Sequence, residues 1–239
     1  MRAWIGALIF ALSWLPSILS AEETPWARYK PVRGVEIALP PGWQRLDESS
    51  VVAEVNDALD ATSATIPDSA RANQVRIYTA PDDPRIRITI QVRSGPPGSF
   101  PTQEFIRTAS PTTLERRNEG MKRFVTQMFE NMNASLLDFS QTRTEHASGA
   151  AMFLGRVRVR DATGTISIVE SLDFPFGIWQ AGITASYPED RAEELKATID
   201  SALRSAIVTP PRTEPSDPVK EAPKPRGTTG EKPTPQSPR

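Results

Sequence analysis

"QVRIYTAPDDPRIRITIQVR", residues 74–93, carries two runs of alternating side chains around a Pro-Asp-Asp-Pro turn. In the second run Ile86, Ile88, Ile90 and Val92 point one way and Arg85, Arg87, Thr89, Gln91 and Arg93 the other, the period of two that belongs to a half-buried strand. A turn this short joins neighbouring antiparallel strands, so the stretch predicts a hairpin with one wet and one dry face. Upstream, Val35, Ile37 and Leu39 repeat the alternation in "GVEIALPPGWQRL", residues 34–46, until Pro40, Pro41 and Gly42 end it. Trp43 follows that turn at once and is expected to fold back over the core, where a large aromatic buries much area.

Downstream the pattern changes period and then returns. Asp47 to Ala61 has a helix-like face with Asp47 or Ser49 as N-cap. Ser110 and Pro111 open a long helix whose apolar stripe is Leu114, Met121, Phe124, Val125, Met128, Phe129 and Met132. Four strands are predicted after it, over 136–144, 152–160, 165–174 and 178–187, with the "RDATGT" turn between the second and third. A closing helix begins at Pro188, Glu189 and Asp190 and buries Leu195, Ile199, Ala202, Leu203 and Ala206. Hairpin-length links between strands give an α+β fold, a mainly antiparallel sheet with helices packed on it as an α/β/α sandwich.

Both ends of the 239-residue chain read as appendages. Residues 1–21 have the layout of a secretory signal peptide: Arg2, an apolar run from Ala3 to Leu15, then small residues up to Ala21. The run has 13 residues before Pro16, short of the roughly 18 that a membrane span needs, so cleavage is expected and stable membrane insertion after it is not. Residues 22–29 are a linker, 30–208 the folded domain, and 209–239 a tail with nine of the 23 prolines and no apolar side chain larger than Val219. Such a tail cannot bury enough surface to offset its ordering entropy. These readings place the protein outside the cytoplasm, in a periplasm or the extracellular space.

The strand that ends in "LPPGW" (39–43) and the last strand running through "ASYPED" (185–190) into a helix resemble the PsbP-like superfamily. That group includes the extrinsic subunit of the plant oxygen-evolving complex, DcrB-type bacterial envelope proteins and a nuclear-import factor. The resemblance implies the fold over about residues 30–208 and a non-catalytic role. It carries over no functional residue.

Chemistry-bearing motifs are few. Cysteine is absent, which removes disulfides, lipoprotein acylation and thiolate chemistry. His146 is the single histidine, expected on the surface in "RTEHASG", so a multi-histidine zinc site is excluded. No G-x-S-x-G, S-x-x-K, P-loop or G-x-G-x-x-G occurs. The expectation is therefore no enzyme, no catalytic residue, no metal and no cofactor. Residues 22–208 hold 21 basic against 25 acidic side chains, which gives nucleic acid nothing to bind in bulk.

One pattern hints at a ligand. Arg85, Arg87 and Arg93 share a strand face, and "GRVRVR" sets Arg156, Arg158 and Arg160 opposite Val157 and Val159. If the two strands are neighbours, six guanidinium groups make a patch for carboxylate or phosphate partners; otherwise they pair with acids such as Glu36 or Glu170. The expected function is an exported, non-catalytic binding or accessory module of the cell envelope, with an envelope protein or anionic polymer as partner. An envelope hydrolase of unrecognised type and a wall-associated structural protein using its tail are the alternatives.

Overall fold

The computed structural model describes residues 25–47, 49–51 and 74–210, so the expected signal peptide, the tail beyond Pro210 and most of the helix expected over 47–61 lie outside the described residues. The chain enters through strand β1 (Ala27–Val32), which pairs with β2 (Val35–Leu39). The fold thus begins inside the segment read as a linker. Gly34 makes the turn between them at φ +85°, and a Cβ there would sit 2.5 Å from the Thr209 carbonyl oxygen, so both conformation and space require glycine. Strand β3 (Gln44–Arg45) follows the Pro-Pro-Gly turn, and Trp43 between them is 9% exposed and packs in the main core. Asp47 caps the helical turn at 49–51, accepting from the Ser50 N–H at 2.9 Å, and the Ser49 and Ser50 hydroxyls help hold its carboxyl well below the ordinary range.

Strands β4 (Gln74–Thr79) and β5 (Arg87–Ser94) form the expected hairpin. After it come helix α1 (Gln103–Thr108), helix α2 (Pro111–Asn131), and the four strands β6 (Ser135–Glu145), β7 (Ala151–Arg160), β8 (Ile166–Pro175) and β9 (Trp179–Pro188). A 3-10 turn, Glu189–Arg191, leads into α3 (Ala192–Arg204), and β10 (Ile207–Val208) returns to β2. The seven strands order as β3-β4-β5-β9-β8-β7-β6, antiparallel throughout, while β1-β2-β10 make a separate small sheet.

Residues opposite one another in antiparallel strands share a face, so the register sorts every side chain. One row runs Ile90, Ile183, Leu172, Leu154, Thr142, and the next Ile88, Ala185, Glu170, Arg156, Ser140. Both are apolar in the middle of the sheet and turn polar toward β6. This face meets the small sheet and α3 in the main core, where Val35, Ile37, Leu39, Ile88, Ile90, Ile183, Ile199 and Ala202 are buried together. One outer layer therefore combines the small sheet with α3, and helices pack on the antiparallel sheet as expected. Arg191 fixes its position by pairing with Asp82 of the β4–β5 turn at 2.9 Å and with Glu194 at 2.7 Å.

The opposite face receives α1 and α2. Thr102 and Ser110 cap them, and Ile106 and Leu114 pack with Ala151 and Phe153 in a second, smaller core. Helix α1 escapes the sequence reading because six residues with one buried side chain show no periodicity. Polar clamps hold both helices. The Gln103 amide donates to the Ala151 and Pro175 carbonyls at 2.9 Å each and accepts from the Ala151 N–H at 2.8 Å. Arg143 donates to the carbonyls of Ile106, Arg107 and Ala109 at the end of α1. The Arg117 guanidinium lies 3.7 Å over the Phe153 ring and donates to the Gln141 side chain. Beyond Leu114 the expected stripe of α2 buries no residue, and Phe124 is 56% exposed.

Replacing Trp43 with alanine is expected to cost about 3 to 5 kcal/mol, the range for deleting a large buried aromatic. Equilibrium denaturant melts read this directly, and a midpoint shared with the parent protein contradicts the placement of Trp43 over the core.

Candidate functional site

The register separates the six arginines singled out in the sequence. Arg87 and Arg93 of β5 lie on the same face as Phe153, Gly155 and Val157 of β7, because the pairs run from Arg87 through Ser186 and Val169 to Val157. Arg156, Arg158 and Arg160 occupy the alternate positions of β7 and face the other way. The single six-guanidinium patch does not form. Arg85 sits in the turn and grips Asp83 through Nε at 3.0 Å and Nη2 at 2.7 Å, which holds that carboxyl down at about 2. Arg93 donates to Gln91 at 3.1 Å, Arg158 to Glu189 at 2.7 Å, and Arg160 ends its strand exposed.

Arg156 lines a concave site. A cleft of about 380 Å³ opens between α3 and strands β6–β8, on the main-core face. Its floor is Met152, Leu154, Leu172 and Leu203. The row that includes Leu172 and Leu154 runs past the edge of α3, which leaves Leu154 41% exposed. The rim is charged on both sides. Lys196, Asp200 and Arg204 stand one turn apart on α3, and both cations draw on the same Asp200 oxygen, at 3.0 and 4.0 Å. Across from them, Arg156 Nε lies 3.6 Å from Glu170, whose side chain is only 13% exposed. Burial, together with the neighbouring Glu170 charge, pushes the Tyr187 phenol well above its ordinary range.

His146 stands at the inner end of the cleft and is 7% exposed, which corrects the expectation of a surface histidine. The chain does turn at this point, with Gly149 at φ +79° donating to the His146 carbonyl, but the side chain points inward. Its ring meets Phe174 edge-on at 5.3 Å. The Ser148 N–H donates to Nδ1 at 3.3 Å, so a neutral ring carries its proton on Nε2. Nε2 is buried without a hydrogen bond of full geometry, facing the Leu203 carbonyl at the end of α3. Burial lowers the His146 pKa, and the Leu203 carbonyl offsets part of that.

A second polar centre lies on the other face. Asp173 falls in the row Gln91, Gly182, Asp173, Phe153, Arg143. The only hydrogen bond drawn to its carboxylate among the described residues is from Gln180 at 3.5 Å, and burial raises its pKa against the opposing charges of Arg117 and Arg93. Glycine makes the room: a Cβ on Gly182 would meet Gln91 Nε2 at 3.1 Å, and one on Gly155 would lie 2.6 Å from Ser171 Oγ. The pairing of Arg156 with Glu170 follows the alternative read from the sequence, while the grouping with Asp200 and the burial of Asp173 depend on contacts between distant segments. Among the described residues no group of three or more potential metal ligands converges, and no helix is long and apolar enough to cross a membrane.

Two titrations follow. With its pKa lowered in the fold, His146 stays neutral while the unfolded chain takes up a proton, so stability falls as pH drops below about 6.5 and levels off under the folded value. His146→Gln removes that slope in melts between pH 7 and 5; an unchanged slope contradicts it. Asp173 has the opposite sign for an acid: the folded form keeps its proton longer, so its ionisation costs stability as pH rises above about 3.9. Asp173→Asn is expected to melt higher than the parent at pH 7, with the difference vanishing near pH 3, and a lower melt at pH 7 overturns it.

No family model matches the chain, and no curated protein matches it. Among solved structures, a cyanobacterial PsbP from Synechocystis sp. PCC 6803 is similar at a TM-score of 0.47 and 14% identity, over 82% of this chain and 99% of that one. LpqN of Mycobacterium tuberculosis, described as involved in cell envelope biogenesis, is similar at 0.38 and 13%, over 79% and 88%.

Proposed function

We propose that the protein is an exported, non-catalytic binding or accessory module of the cell envelope, which engages its partner through the cleft between α3 and β6–β8. The observation that supports this reading is the character of that cleft, an apolar floor with an exposed leucine inside a rim of loosely paired charges. Interfaces have this anatomy, with apolar anchors at the centre and polar groups around them. A hydrolytic site instead needs polar groups converging on a reacting atom. An anionic polymer has less to hold, because the guanidinium groups that would grip it are divided between two faces.

The test places a photo-activated cross-linking side chain at Leu154 in the full chain, with Arg123 on α2 as the control position. In intact cells the expected result is a discrete adduct in the envelope fraction from Leu154, absent from Arg123 and lost when Arg204→Glu is added. Equal adducts from both positions, or none from Leu154, overturn the cleft as the binding surface. A hydrolase activity of the purified chain that one polar substitution removes without unfolding overturns the non-catalytic role.

A further inference from the structure

We infer that the cleft takes a single-chain carboxylate, its short apolar chain on Leu154, Met152 and Leu203 and its carboxylate on Arg204. This rests on the cleft being the binding surface and names the chemistry it selects.

Three features carry it. The first is size. About 380 Å³ is at the small end of ligand pockets, which run roughly 300 to 1,000 Å³, and it gives room for one short chain. The second is the floor, four apolar side chains that leave Leu154 open to solvent, bordered by Thr144 and His146. An apolar ligand gains there by removing that surface from water.

The third is the charge count at the rim. Three cations, Arg156, Lys196 and Arg204, face two carboxylates, Glu170 and Asp200. Asp200 offers the same oxygen to both Lys196, at 3.0 Å, and Arg204, at 4.0 Å. Arg204 Nε is spent on the Asp200 backbone carbonyl at 3.1 Å, while its outer nitrogens are only loosely held. One cation is therefore in excess, and one anionic head balances it. A guanidinium matches a carboxylate through two parallel hydrogen bonds. A neutral head leaves the excess unmet, and a cationic head adds to it.

Isothermal titration of the full chain with decanoate, below its micelle concentration, tests the assignment. Decyl maltoside and decyltrimethylammonium serve as neutral and cationic counterparts of equal chain length. The expected result is saturable one-to-one binding of decanoate, at least tenfold tighter than either counterpart, and weakening as salt rises. Arg204→Glu and Leu154→Asp should each reduce it tenfold or more, with Arg123→Glu within twofold of the parent. Arg204→Gln with a matching thermal melt separates lost binding from lost folding. Absence of saturable binding, or equal binding of decyl maltoside, overturns the inference. So does decanoate binding that survives both Arg204→Glu and Leu154→Asp. An apolar peptide with a free C-terminal carboxylate that binds where decanoate does not overturns the acyl assignment. If Leu154 still cross-links to an envelope component while decanoate fails to bind, the cleft stands as the binding surface and only the ligand chemistry falls.

Discussion

The parity of the seven-stranded sheet governs where every charge in this protein can go. Each strand sends alternate side chains to opposite faces, and each antiparallel register passes that choice to the next strand. From Ile90 through Ile183 and Leu172 to Leu154, one unbroken apolar row crosses four strands. The alternate row, Gln91, Gly182, Asp173 and Phe153, carries polar side chains on two of them and a glycine between. A slip of one residue between β9 and β8 would turn Asp173 toward the main core and Leu172 away from it. The two glycines of the polar face, Gly155 and Gly182, belong to the same constraint, since a Cβ on either would meet the neighbouring polar side chain before the strands reached their spacing.

The edges and helix ends are then secured by polar groups. Strand β6 is a long edge of 11 residues, and such edges recruit other strands unless blocked. Here Asn118 of α2 donates to the Gln141 carbonyl at 2.9 Å, and Asp138 accepts from its neighbour's N–H at 2.9 Å beside a break in the register. Both use up backbone groups that a second strand would need. The same helix carries Arg117 onto Phe153, so one side of α2 docks by a stacked cation and an amide where its apolar stripe would have sufficed. That stripe lies along the edge instead of over a core, which explains how a helix of 21 residues can bury none of them fully.

What the sequence made legible was local. The strands β6 to β9 appear within a residue or two of where alternation put them, because each pairs with its neighbour through a short turn. Ser110 and Pro111 marked the start of α2 by a mechanism that acts within one turn. The failures were all matters of relative placement. Whether Arg87 and Arg156 share a face depends on three registers in series, β5 with β9, β9 with β8 and β8 with β7, and the first joins strands far apart in the chain. His146 turned inward because Phe174 and the end of α3, residues distant in the chain, supply its surroundings. The cleft was invisible for the same reason: its rim combines the 196–204 helix with Arg156 and Glu170 of two strands.

Geometry of coverage explains why the cleft lies where it does. Seven strands at about 4.8 Å spacing make a sheet roughly 29 Å wide. On the main-core face its cover is one helix, about 10 Å across, and a small sheet of three strands spanning about 10 Å between its outer axes. Among the described residues these leave one flank bare, β6–β7, because β1 packs over β4 and β5 while α3 lies over β9. At that flank the apolar row has not yet ended, so Leu154 emerges from under α3. Solubility demands charges around such an exposed leucine, and the positions available are the next residues on the same face, Arg156 and Glu170, and the outward turn of the helix, Lys196, Asp200 and Arg204. An apolar slot with an ionic rim is therefore the consequence of a sheet wider than its cover. The choice of three cations against two acids is not forced by that geometry, and this surplus is where selection for a ligand can act.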